Sequence, residues 1–418
     1  MSNFLLSLFD RYAQLLKRRF SEDFLEIVST DDYMPMPIQT AEEFDKVISV
    51  SWYEPERSSQ DTTFPCVLPF SQMYPLCCID IRNFLNQFYF FSGDDFQHPE
   101  VVDEALHEAL DGLLCHEVCE SLVAKLSVQY IGQIVQILIN LEHFEHACEE
   151  LEQLLVAARS SMNMTGKISL RATEKFRDKK KTAEKRIFEL VNSKIDDLVE
   201  TAEYEWTAPV AQDEPSTYIQ TLTQYLSNIM NSMLLSLPTE IKELIYFDAI
   251  SHVAKAILAL PLSAEVTTIN PNGVHALSLD VHFLSDFVAS LDNPILQQNL
   301  DELQQTVALM GADNSEEFYD AGLRNKKYGQ VNPINGPTLL EKITKVVERG
   351  GRRSGAGVGV GGRSSTGAGS AAVSNASEPT DQRISASSSS SAAAGATATA
   401  GAGAAERLKG LGTRFGMR

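Results

Sequence analysis

Residues Pro69–Phe91 read PFSQMYPLCCIDIRNFLNQFYFF. Seven aromatic residues (Phe70, Tyr74, Phe84, Phe88, Tyr89, Phe90 and Phe91) share this stretch with only two charges, Asp80 and Arg82. Leu76, Ile79 or Asp80, Asn83, Phe84, Gln87 and Phe88 recur at helical spacing, and Phe88 to Phe91 is apolar on every side. Burying each large apolar side chain contributes ~1.5–3 kcal/mol, so such a segment has to be wrapped by other elements. The polar residues inside it and two prolines near its start make it a poor membrane span. It predicts the central core helix of an all-α protein.

The pattern on either side is also helical. Phe4, Leu5, Leu8, Phe9, Tyr12, Leu15, Leu16 and Phe20 form one stripe, and Lys17-Arg18-Arg19 suits the negative end of a helix. The chain enters this helix with nothing before it to cover the apolar face, which suggests a fragment or a truncated gene product. Thr30–Pro37 is a proline-punctuated loop, Glu42–Val50 a short helix, Trp52–Pro69 a connector, and Ser92-Gly93-Asp94-Asp95 a stop before His98-Pro99. Val118, Leu122, Leu126, Tyr130, Ile134, Leu138, Leu141, Cys148, Leu151 and Leu155 then lie mostly four apart. Read as one continuous helix from His116 to Ala158, they would span about 65 Å. Met162–Gly166 is a turn, and a second long helix covers Lys167–Glu203. Ala208–Pro215 breaks the composition, and helices are expected over Ser216–Leu235, Thr239–Leu260, Gly273–Leu291 and Ile295–Gly311. Pro238 and Pro261 fall at helix ends, and Thr338 with Glu341 fits a capping box for a last helix. Strand signals are nearly absent. Residues 1–207 are expected to form a first helical-bundle subdomain, 208–348 a second, and 349–418 a disordered Gly/Ser/Ala-rich tail, the bundles stacking into an elongated rod.

The formal net charge is -21 over 418 residues. Because 349–418 holds nine Lys/Arg and three Asp/Glu, residues 1–348 carry about -27. That balance argues against nucleic acid as a partner. Six irregularly spaced cysteines do not make a disulfide framework and point to a reducing compartment. The first residues lack the basic region of a signal peptide, and no apolar run has the length of a membrane span. These features describe a soluble cytoplasmic protein.

Candidate chemistry is sparse. Cys115, His116 and Cys119, with His107 upstream, are the best metal candidates, since positions 115 and 119 share a helix face; the alternative is small buried thiols in a core. A metal-dependent helical enzyme built on them is the competing functional class, and a subunit of another helical-rod complex, alike in fold and different in partners, is a third reading. His143 and His146 near Cys148 read as partly exposed polar positions, and Cys77-Cys78 point to different faces. Asp31-Asp32 and Asp94-Asp95 read as loop and capping residues rather than catalytic carboxylates. Gly355, Gly357 and Gly359 follow no strand and so do not make a phosphate-binding loop. The basic island KFRDKKKTAEKR, with Lys175, Lys179, Lys180, Lys181, Lys185 and Arg186, is either a solvated helix face or a contact for an acidic partner or anionic lipid. No enzymatic constellation emerges, and no cofactor is expected.

Three strings, FSEDFLEIVSTDDYMPMPI (20–38), LPFSQMYPLCCIDIRNFLNQFYFFSGDDF (68–96) and YIGQIVQILINLEHFEHACEELEQLL (130–155), resemble the Sec-fifteen subunit family of the exocyst, most of all its fungal branch. The similarity continues through LSLDVHFLSDFVASLDN (277–293) and YGQVNPINGPTLLEKI (328–343), covering roughly 1–348. The family's N-terminal half, with its coiled-coil helices, has no counterpart here, and neither does the tail in the family. The resemblance implies stacked helical bundles without an active site, other exocyst subunits as partners, and a role in tethering secretory vesicles to the plasma membrane before fusion. It also implies recruitment to vesicles and sites of polarised growth through partners, and a C-terminal region that is the effector surface for a GTP-bound Rab GTPase. For that surface the helix Gly273–Leu291 and the preceding loop stand out. Val274, Leu277, Val281, Leu284 and Val288 make its core stripe, leaving Asn272, His275, Ser278 and His282 as partner-binding candidates on an outward face.

Overall fold

The computed structural model, which describes residues 2–91, 99–157 and 168–343, is all-α apart from one short ribbon. Helix α1 spans Ser2–Thr30, α2 Ala41–Val50, α3 Met73–Phe91 and α4 Pro99–Gly112. The chain continues from α4 through a π-helical stretch, Leu113–Glu120, and a short α5, Ser121–Ala124. Two long helices, α6 Ile131–Ala157 and α7 Arg171–Val199, pack side by side. Then come α8 Thr217–Asn228, α9 Thr239–Leu262, α10 Pro271–Ser290, α11 Pro294–Gln298, α12 Asp301–Met310 and α13 Ala321–Lys327, and residues 335–343 are helical. Ser92–Asp95, His98, Met162–Gly166 and the tail 349–418 with Gly355, Gly357 and Gly359 lie outside the described residues.

The aromatic stretch is the centre of an aromatic chain that crosses four helices. Phe9 of α1 meets Phe88 of α3 edge-on at 5.5 Å, and Phe20 meets Phe84 at 5.3 Å. At the other end of α3, Tyr74 meets Phe144 of α6 at 5.2 Å, and Phe144 stacks on Phe176 of α7 at 5.3 Å. All of these rings are fully or almost fully buried, and such ring pairs add about 0.5–1.5 kcal/mol each beyond their burial. Phe90 departs from the expectation: it is 90% exposed. Within that run Phe88 is buried and Tyr89 half-buried.

Several helix N-termini are held by carboxylates that belong to other helices. Leu170 and Ser216, which precede α7 and α8, offer no side-chain cap of their own. At α7, Glu152 accepts from the Leu170 amide and the Thr173 hydroxyl, both at 2.8 Å. Asp111 accepts from the Ala172 amide at 2.8 Å and from Arg171 Nε at 2.6 Å. At α8, Asp280 of α10 accepts from the Ser216 amide at 2.7 Å. At α3, Asp31 accepts from the Met73 amide at 3.0 Å and, through its other oxygen, from the Tyr33 amide at 3.1 Å. These acceptors satisfy amides that would otherwise be orphaned, and place negative charge at the positive end of each helix. A polar clasp also fixes the entry to α3: Asn140 of α6 bonds both the amide and the hydroxyl of Ser71, and Gln136 donates to the Pro69 carbonyl at 2.9 Å.

Other expectations are corrected. The segment read as a proline loop and a connector contains an antiparallel ribbon, β1 Met36–Ile38 against β2 Cys66–Leu68. Met36 and Ile38 point inward while Pro37 faces solvent, where its missing N–H costs nothing. Helix α1 does not end near Phe20, because Phe24, Ile27 and Val28 extend its buried stripe; Lys17-Arg18-Arg19 therefore sits mid-helix, with Arg18 and Arg19 beside Glu22 and Asp23. Only part of the expected α1 stripe is buried, since Phe4, Leu5, Leu8 and Leu15 are exposed. The 65 Å rod is interrupted at Val128–Tyr130, and the spacing across the break is coincidental. Ile295–Gly311 is two helices, α11 and α12, meeting at Asn299-Leu300. Thr338 lies inside its helix and donates to the Ile334 carbonyl, while Asn332 caps the entry by accepting from the Ile334 amide at 2.8 Å. Helix α9 does have the length and composition of a membrane span, which the charges scattered along it concealed. Its buried residues, Ile245, Ala249, Ile250, Val253, Ala254, Ile257, Leu258 and Pro261, face the helical core, so it packs as a core helix with Pro261 in its last turn.

Two stability predictions rest on these carboxylates. Replacing Asp111, which is fully buried, by alanine leaves the Ala172 amide unpaired and is expected to cost about 3 kcal/mol in urea denaturation. Arg171→Ala, at the exposed end of the same bond, is expected to cost well under that. Burial, outweighing its hydrogen bonds, raises the Asp31 carboxyl from 3.8 to about 6. The folded chain therefore holds a proton there that the unfolded chain releases, and stability falls as pH climbs from about 4 through about 6. Thermal midpoints of Asp31→Asn should lack that slope; an unchanged slope would refute the assignment.

Candidate interaction surface

Helix α10 is amphipathic around an unusual inner face. Its start is preorganised by Asn270, whose side chain accepts from the Gly273 amide at 2.8 Å, with Pro271 opening the first turn. The Asn270 amide donates to the Trp206 carbonyl at 2.8 Å, and the side-chain amides of Asn270 and Asn272 both donate to the Ala208 carbonyl, at 2.7 and 3.0 Å. One helical turn beyond Leu277, the fully buried Asp280 receives the Tyr204 hydroxyl and the Ser216 amide. With its proton committed to Asp280, Tyr204 accepts from Tyr218 at 2.8 Å. Burial, then the neighbouring Tyr218 and Asp280, raises the Tyr204 hydroxyl far above its ordinary value, so it stays a donor. The inner face of α10 thus binds the linker between α7 and α8 at both ends.

The outer face is left to solvent. His275, Ser278 and His282 are all exposed and lie on one side, as expected from their spacing. His282 sits 3.7 Å from Asp286 one turn on, and Phe283 is exposed at the margin. Asn272 is the exception among the four candidates, because its amide is spent on Ala208 and it serves the scaffold. Phe283 and Asp286 were not among the sequence candidates, although the same spacing places them beside His282.

The basic island on α7 is largely answered from within the chain. Arg177 bonds Glu145 at 2.7 Å and Glu149 at 3.2 Å, and Lys180 reaches Glu145 at 2.9 Å and Glu142 at 3.7 Å, all on α6. Lys175 pairs with Glu120, whose carboxyl is held below the usual range by Lys175 and His116. Lys181 pairs with Asp178, and Lys185 and Arg186 share Glu189. Lys181 and Lys185 keep exposed side chains, and Lys179 is half-buried.

A family model described as the C-terminal part of exocyst complex subunit Sec15 matches residues 1–342. The chain belongs to that family. Exocyst complex component 6 of Rattus norvegicus is 29% identical over 344 residues, covering 80% of this chain and 42% of the rat protein. Exocyst complex component sec15 of Schizosaccharomyces pombe is 28% identical over 357 residues, 82% of this chain and 45% of that protein. The Saccharomyces cerevisiae protein named SEC15 is 24% identical, covering 82% and 42% respectively. Mammalian and fission-yeast relatives are equally similar, so these identities do not set the fungal branch apart. The chain spans less than half the length of these relatives. A crystal structure titled Sec15 C-terminal domain has the same fold, with a TM-score of 0.50 at 22% identity, covering 74% of this chain and 98% of that one.

The metal candidates of this Sec15-family chain do not converge. Cys115 and Cys119 are buried, whereas His116 points outward to Glu120 at 3.2 Å and His107 meets the Ser169 carbonyl at 3.2 Å. Among the described residues no three His, Cys, Asp or Glu side chains are grouped to hold a metal ion. Burial pushes the Cys115 thiol to about 11 and the Cys119 thiol to about 12, so both are protonated in this core. Cys77 and Cys78 are likewise buried. His143 is half-buried and His146 exposed, as expected, but the His143 ring packs against Tyr53, Phe70 and Tyr74 at 5.4, 5.1 and 5.3 Å, and burial lowers its pKa to about 4.

The clamp on α10 is testable at Gly273. A Cβ there would lie 2.5 Å from the Trp206 carbonyl oxygen, so the linker must shift and the bond to Asn270 is lost. Gly273→Ala is expected to cost about 1–3 kcal/mol by thermal melting, and to speed proteolysis between 204 and 216. A variant as stable and resistant as the parent would show that the linker is not held there.

Proposed function

We propose that this chain is a non-enzymatic exocyst subunit that helps tether secretory vesicles to the plasma membrane, and that its α10 surface receives a GTP-bound Rab GTPase. Family membership supports the first part. The relatives' names are those of components of a complex, and other exocyst subunits are accordingly the first partners to expect. The observation that supports the second is the division of labour on α10: the inner face is consumed by the linker, leaving His275, Ser278, His282 and Asp286 as a preorganised outward strip. A helix held this rigidly gives up little conformational entropy on binding. In this reading residues 208–348 form the effector unit and 1–207 a preceding helical bundle, with the chain cytoplasmic and brought to vesicles and sites of polarised growth by its partners. A metal-dependent activity at Cys115, His116 and Cys119 has no support in the geometry of those side chains.

Ser278→Arg tests the reading. The substitution adds bulk and charge at an exposed position, so helicity and melting should stay unchanged. Capture of GTP-loaded Rab proteins should fall at least about tenfold relative to the parent, with GDP-loaded forms captured poorly by both. Equal capture of the GTP-loaded forms by parent and variant would remove this helix as the docking site.

A further inference from the structure

From residue 195 to residue 323 the chain carries twenty Asp or Glu against two Lys or Arg, Lys242 and Lys255. Part of that negative charge surrounds a groove at the linker between α7 and α8. Two adjoining recesses, of about 730 and 560 Å³, share Glu203 and Gln212. The larger is lined by half-buried Tyr204, Trp206, Leu260 and Val266, with Glu203, Glu205 and Glu265 exposed beside them. The smaller adds Asp213 and Glu214, both exposed. Neither Lys242 nor Lys255 lines the groove, and no described cation forms an ion pair with any of these five carboxylates. The charges of α7 are treated differently, since Arg177 and Lys180 meet carboxylates of α6.

The described residues end beside this groove. Lys342, one residue before the last of them, donates to the Pro261 carbonyl at 2.7 Å and to the Ser263 carbonyl at 2.9 Å, and Ser263 lines the larger recess. Residues 344–353, outside the described residues, read TKVVERGGRR. They hold two adjacent valines, and Lys345, Arg349, Arg352 and Arg353 against Glu348 alone. We propose that this segment of the same chain docks in the groove, its valines on the apolar lining and its cations along the carboxylates. The chain is anchored at the edge of the groove through Lys342, and ten residues reach at most about 35 Å. The charge of the segment is opposite to that of the groove, and the apolar parts match as well. So short a tether holds the segment at an effective concentration on the order of millimolar, so ion pairs that are weak singly suffice. Docked there, the segment braces the linker whose Trp206 and Ala208 carbonyls hold the start of α10.

The test uses the full chain and reads tryptic cleavage after Lys345, Arg349, Arg352 and Arg353. Glu203→Gln, Glu205→Gln and Glu265→Gln combined should speed that cleavage about tenfold at low salt, with melting unchanged because all three side chains are exposed. High salt should bring the parent close to the rate of this variant. Glu240→Gln, Glu243→Gln and Glu316→Gln remove the same charge from exposed positions elsewhere and should leave the parent's rate as it is. Zero-length carbodiimide coupling, read by mass spectrometry, should join Lys345 to Glu203, Glu205 or Glu265 within one chain. Equal cleavage of the parent and the groove variant would overturn the proposal and leave the groove to a basic segment of another protein. Couplings that join two chains would overturn it as well, giving the groove to a second copy. Cleavage that responds equally to both triple variants would show that overall charge, not the groove, sets the rate, and would sink it too.

Discussion

Buried carboxylates that cap helices other than their own hold this structure in register. Apolar packing makes helices adhere but tolerates sliding, since ridges and grooves repeat along each axis. A hydrogen bond from a helix-end amide to a carboxylate on a neighbour does not tolerate it, because the bond fails within a fraction of an ångström. Glu152 and Asp111 fix α7 against α6 and α4, Asp280 fixes α8 against α10, and Asp31 fixes α3 against the end of α1. Each partner lies far along the chain, from 18 residues for Glu152 to 64 for Asp280. The carboxylates answer two needs at once, orphaned amides and the positive end of the helix dipole.

This arrangement bears on how the surface is used. Because Asp280 and the asparagines at its start commit the inner face of α10 to the linker, the helix cannot rotate without breaking several buried bonds. Its outer face is therefore displayed in one orientation. Away from α10, burial accounts for several raised or lowered groups: Asp31 caps a helix, His143 lies among aromatic rings, and the thiols of Cys115 and Cys119 are enclosed in the core. Among the described residues these perturbed groups serve capping and packing.

Much of this was legible beforehand. The aromatic density of 69–91 marked α3, and the stripe Val274, Leu277, Val281, Leu284 and Val288 marked α10 and hence the outward set His275, Ser278 and His282. The failures share a physical origin. Periodicity reports which face is apolar, but not whether anything covers it, so Phe4, Leu8, Leu15 and Phe90 looked like core residues. It also survives a break in the helix, which is why Val128–Tyr130 was invisible, and it gives no sign of a three-residue ribbon containing a proline. The role of Asn272 was missed because its partner, the Ala208 carbonyl, is 64 residues away and is a backbone atom.

By itself the sequence determined the helical class, most helix positions, the inward stripe of each helix and the family, because apolar spacing and long irregular strings are local properties of the chain. The tertiary structure alone decided which carboxylates cap which helices, which cations are neutralised across α6 and α7, and which apolar faces stay open. Those outcomes depend on groups brought together from distant segments, and a hydrogen bond or an ion pair exists only once both partners have been set a few ångströms apart.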